Sequence, residues 1–111
     1  MDKELLELAA KAAGISFIDW RESWADYNGP AWRTADKKLW NPITDDGDAL
    51  RLAVKLGISP VFLYSQLEGG FKRGVSARHM EIYCEEWSAD IGASTRFAIT
   101  GAAAEIGRKM P

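Results

Sequence analysis

With 111 residues, 14 Lys and Arg against 16 Asp and Glu, and a formal charge of −2, the chain has the size of one domain and no general electrostatic grip on nucleic acid. A hydrophobic fraction of 47% with 27% charged residues excludes a disordered composition, and no apolar run reaches the roughly 18 residues that a membrane span needs. Cys84 is the sole cysteine and His79 the sole histidine, which excludes an intramolecular disulfide and a zinc site built on paired histidines.

Residues 2–13 have the pattern of a helix. Asp2 is placed to cap its start, Leu5, Leu8, Ala9 and Ala12 share one face, and Gly14 ends it. Ile15 to Trp20 follow with the β-branched and aromatic bias of a strand. Asn28-Gly29-Pro30 marks a turn in the less regular stretch 21–38, with short strands expected near Arg33 and ending at Leu39-Trp40. The segment from Trp40-Asn41-Pro42 to Gly57 carries the clearest pattern. Thr44 or Asp45 is placed to cap a helix over 46–56, and Asp45 and Asp48 have the spacing of an acidic capping box. Three carboxylates there face the positive end of the helix dipole, while Ala49, Leu52, Ala53 and Leu56 recur at helical spacing before the Gly57 stop.

Val61 to Tyr64 then reads as a strand, and Gly69, Gly70 and Gly74 as a mobile turn around Phe71-Lys72-Arg73. A returning strand is expected over 75–84. There Val75, Ala77, His79, Glu81 and Tyr83 alternate with Ser76, Arg78, Met80, Ile82 and Cys84, and neither set is cleanly apolar. The last helix is expected over 91–109, beginning near Asp90. Ala102, Ala103 and Ala104 allow it to approach a neighbour closely, and Arg108 and Lys109 suit its negative end. The order predicts an α+β fold: one compact domain over 1–111, with three helices packed on a small, mainly antiparallel sheet.

Three segments in this order resemble a group of small uncharacterised proteins encoded by tailed bacteriophages and prophages. They are Glu4 to Gly14, Trp40-Asn41-Pro42 with Asp45 to Leu56, and Thr95 to Ile99 with Ala102 to Gly107. The resemblance covers both ends and the centre of the chain. It implies a bacterial cytoplasm during infection or lysogeny, and an accessory role of binding a host or phage protein, host-defence components included. The absence of a signal-peptide pattern and the single Cys84 agree with a cytoplasmic expectation.

No constellation for catalysis is expected. Read as a calcium loop from Asp46, the chain places Leu50 at the fifth position and Arg51 at the sixth, so the acidic segment is assigned to capping and no metal or cofactor is expected. His79 and Cys84, five positions apart, would lie on opposite faces of one regular strand, and Cys84 is expected to be a buried, inert thiol. His79 is expected at a surface or sheet edge. The glycines at 69–74 lack the spacing of a phosphate-binding loop, and no serine has a nucleophile-elbow context.

Trp20, Trp24, Tyr27, Trp32 and Trp40 crowd together, interleaved with Arg21, Arg33, Lys37 and Lys38. Trp and Arg dominate interface hot spots because they combine large buried area with directed polar contacts. Trp24, Tyr27, Trp32 and Arg33 are therefore the first candidates for one exposed contact patch with a protein partner, followed by Lys72, Arg73 and Arg78. Core packing is the competing role for the tryptophans. The rival functions are a small-ligand binder that sequesters a nucleotide-like signal, with aromatics for stacking and basic residues for phosphates, and a weak hydrolase or nuclease. Self-association is compatible with the sequence.

Overall fold

The computed structural model describes residues 2–24, 29–67 and 70–111, with Leu67 and Phe71 described at the backbone only. The elements are α1 (Asp2–Ala13), β1 (Phe17–Arg21), β2 (Ala31–Thr34), β3 (Leu39–Trp40), α2 (Asp46–Leu56), β4 (Ser59–Leu67), β5 (Gly70–His79), β6 (Ile82–Trp87) and α3 (Ile91–Lys109). This is an α+β arrangement. The described strands make two antiparallel three-stranded sheets, β1-β2-β3 and β4-β5-β6, where the sequence pattern suggested one. Each sheet pairs neighbours in the chain, and α2 stands between the two groups of strands.

The central element is α3, which packs against α1, α2 and the second sheet. Ala98, Ala102, Ala103 and Ala104 on it are fully buried. Its glycines set the closest approaches. A Cβ at Gly101 would lie 2.6 Å from the Cys84 Sγ, and one at Gly107 would collide with the backbone carbonyl of Leu8 in α1. The two glycines thus trade helix propensity for close contact, with a side chain at Gly101 and with a backbone at Gly107.

The start of α2 is more than a capped helix. The Asp45 side chain accepts from the Asp48 N–H at 2.8 Å, as expected of an N-cap. The reciprocal half of the capping box is absent, because the Asp45 N–H goes to the Asn41 carbonyl. The Asp48 carboxylate turns inward instead, accepting from the Asn41 N–H at 3.0 Å and from Arg51 Nη2 at 2.7 Å. Asn41 is itself buried, donating Nδ2 to the Pro30 carbonyl at 2.8 Å and accepting the Ile43 N–H at 2.9 Å. Arg96 of α3 completes the junction, with Nε on the Ile43 carbonyl and Nη1 on Asp46 at 2.7 Å.

The stretch 70–87 differs from its sequence reading in two ways. Phe71, Lys72 and Arg73 belong to β5, in register with Gln66, Ser65 and Tyr64, rather than to a turn, and Gly69 lies outside the described residues. The expected single strand over 75–84 is interrupted at Met80-Glu81, and His79 pairs with Ile82 across that two-residue turn. The turn reverses the alternation: Val75, Ala77 and His79 share a face with Ile82, Cys84 and Glu86. That phase change is why neither alternating set looked apolar. Met80 takes a φ of 54° at the turn and is 93% exposed.

Candidate functional site

The first sheet separates the aromatic candidates. Trp32 pairs with Trp20 and with Trp40, and its ring stacks on Phe17 at 4.4 Å with Trp20 edge-on at 5.5 Å. Lys3 Nζ lies 5.4 Å from the Trp32 ring, and the indole N–H points to the Lys3 carbonyl at 3.5 Å. Trp32 therefore joins the first sheet to α1. Arg33, its neighbour in the strand, points to the opposite face and donates Nε to Asp19 at 3.1 Å. There it meets Trp24, whose ring lies 5.7 Å from the Arg33 guanidinium and 4.8 Å from that of Arg21. The Trp24 indole donates to the Ala31 carbonyl at 3.1 Å. Strand alternation thus parts Trp32 from Trp24 and Arg33, contrary to the single patch expected. Tyr27 lies outside the described residues.

The second sheet has two unlike faces. One carries Val75, Ala77, Ile82 and Cys84 and receives α3 over β5 and β6. The other presents Lys72, Arg78, Tyr83 and Trp87, with Arg78 opposite Tyr83 and Trp87 opposite Gly74. The Trp87 indole covers Gly74 so closely that a Cβ there would fall 2.5 Å from the ring. Its N–H donates to Glu85 at 2.7 Å, and Arg78 Nε donates to Ser76 Oγ at 3.0 Å. Tyr83 remains 69% exposed and Trp87 39% exposed. Lys72 and Arg73 border a cavity of about 430 Å³ together with Trp87, Ser88 and Ala89.

Lys72 and Arg78 were legible as candidates, whereas Tyr83 and Trp87 were not. The missing signal was the change of alternation at Met80-Glu81, which places Tyr83 and Trp87 on the face of Arg78 rather than on that of Val75 and Ala77. The same turn brings His79 and Cys84 to one face, not to opposite ones. Burial, with the Glu86 carboxylate second, holds the partly buried Cys84 thiol above its ordinary pKa. That is the reverse of what activates a cysteine nucleophile. His79 lies half-buried on the inner face of the central strand rather than at a sheet edge, with a buried Nδ1 that has no hydrogen-bond partner.

The carboxylates of the acidic segment are engaged with protein groups: Asp45 with a helix N–H, Asp46 with Arg96 and Asp48 with Asn41 and Arg51. No described helix is long and apolar enough to cross a membrane. Comparison with protein-family models, curated proteins and solved structures finds no match to this chain.

Proposed function

We propose that this protein is a non-enzymatic phage accessory protein that binds a host or phage protein in the bacterial cytoplasm. The phage context rests on the resemblance of the three segments around Leu8, Asp48 and Ala103. The observation that carries the binding reading is the outer face of the second sheet. It lies opposite α3 and presents Arg78, Tyr83, Lys72 and Trp87 together on paired strands. Rigid aromatics flanked by guanidinium and ammonium groups suit an acidic protein surface, because burial of rings and directed charge contacts act at one place. The Trp24 ring, held between Arg21 and Arg33, supplies a second contact of the same chemistry on the first sheet.

Affinity purification from the native host, with mass spectrometry of what is retained, tests the reading. Tyr83→Ala and Arg78→Ala are expected to weaken retention of the partner by about 2 kcal/mol each if they are hot spots. Both side chains are exposed, so the melting temperature should hold. Full retention by the double variant, or no specific partner at all, overturns it.

The cavity beside Trp87 favours one second reading, a small-ligand site for a nucleotide-like molecule. Its volume of about 430 Å³ suits such a ligand, and Lys72 and Arg73 at its border match phosphate charge. Ultraviolet absorbance and mass spectrometry of the purified protein would reveal a retained nucleotide.

A further inference from the structure

We infer that β4 is a self-pairing edge, through which two copies of this chain join their second sheets into one antiparallel sheet of six strands. β4 sits at the end of the order β4-β5-β6, and among the described residues no strand lies on its outer side. It pairs with β5 through nine consecutive residues without a bulge. None of its nine residues, Ser59 to Leu67, is charged. A long, regular, uncharged edge lacks the usual devices against strand addition, apart from Pro60 near its start.

The sequence of β4 commits the edge to a second copy. Antiparallel pairing about Leu63 sets Leu63 against the partner's Leu63, Phe62 against the partner's Tyr64, and Val61 against the partner's Ser65. Both aromatic pairs fall on one face and the aliphatic contact falls on the other, a match that a two-fold axis makes twice over. With no charge in the strand, like charges never meet across the axis. Pro60 meets Gln66 of the partner, at the margin of the paired segment.

The helix layer leaves room for this pairing. α3 lies across β5 and β6 and barely reaches β4. Phe62 and Tyr64 project on the α3 side of the sheet and remain 62% and 72% exposed. In the joined sheet, β4 and its copy would span about 10 Å between the two α3 helices, given a strand spacing of about 4.8 Å. Four aromatic rings would fill that gap. At about 150–250 Å² per ring, two-thirds exposed, they contribute roughly 400–700 Å² before the backbone edges are added. Stable interfaces bury upward of about 1,000 Å², so the dimer is a reversible, concentration-dependent one.

Sedimentation velocity of the full chain, from about 1 μM to about 1 mM, is expected to show a monomer converting to a dimer. Leu63→Lys places two ammonium groups against each other at the axis, and should raise the dimer dissociation constant at least about tenfold with unchanged far-ultraviolet circular dichroism. Should that variant fail to fold, a crosslinking pair replaces it. In a Cys84→Ser background, Leu63→Cys should be joined rapidly by a short bis-maleimide. Gln66→Cys should not, since its copy stands six positions out of register, about 20 Å away. A monomer at every concentration, a dimer indifferent to Leu63→Lys, or equal crosslinking at the two positions overturns the inference. Loss of partner retention in Tyr83→Ala with the dimer intact would separate this edge from the outer face.

Discussion

The backbone N–H of Asn41 donates to the carboxylate of Asp48 at 3.0 Å, across seven residues, and so closes the loop between β3 and α2 with a charge-assisted bond. Asp48 is 7% exposed and also receives Arg51. Replacing Asp48 with Ala leaves the buried Asn41 N–H without an acceptor, and should cost about 1–3 kcal/mol. Asp45→Ala removes the N-cap and a long, exposed ion pair with Arg51, and should cost about 1 kcal/mol. Urea denaturation of both variants checks the order. A smaller loss for Asp48 would reduce it to a surface helix residue.

Gly107→Ala should destabilise the protein by more than about 1 kcal/mol, although Ala is the better helix former by about the same amount. The added Cβ meets the Leu8 carbonyl, a backbone atom that moves only if α1 and α3 separate. Gly101→Ala meets a side chain instead, the Cys84 Sγ, so Cys84→Ala should restore part of the loss. A double-mutant cycle in thermal denaturation reads the coupling.

Met80→Gly should stabilise the protein by up to about 1 kcal/mol. Met80 holds a φ of 54° that disfavours a side chain, and with 93% exposure it gives up almost no buried area. A lower melting temperature would mean that the turn gains more from a stiff residue than it loses to the backbone geometry.

Burial pushes the Cys84 thiol up, with the Glu86 carboxylate adding to the shift. The folded protein therefore keeps the thiol proton in an alkaline window where the unfolded chain releases it. The associated stability is present below the ordinary thiol pKa and is lost as pH rises through the folded value. Wild-type stability should decline in that window more steeply than that of Cys84→Ala. Modification by a thiol reagent should be slow at neutral pH and accelerate only in alkali.

Trp32→Ala should cost roughly 2–4 kcal/mol, since it removes a ring stacked on Phe17 and packed beneath Lys3 of α1. Trp24→Ala should cost less, because its ring packs mainly between the Arg21 and Arg33 guanidinium groups. Chemical denaturation gives the ranking. The reverse ranking would make Trp24 the joint between sheet and helix.

The sequence by itself determined the helices. α1, α2 and α3 stand at 2–13, 46–56 and 91–109, because the caps at Asp45 and Asp90, the stops at Gly14 and Gly57 and the apolar spacing act within a few residues of one another. The two short strands near Arg33 and Leu39-Trp40 were legible for the same reason, and β1 came within two residues of its start. What only the tertiary structure decided was pairing and facing. Whether 75–84 is one strand or two depends on His79 finding Ile82 across a turn without a glycine, a contact that local propensity does not encode. Which aromatics reach solvent depends on where α1 and α3 lie: α1 covers Trp32, while α3 covers Cys84 and leaves Phe62 and Tyr64 beside it exposed. Periodicity names the residues that share a face, and only the neighbouring element decides whether that face is core or surface.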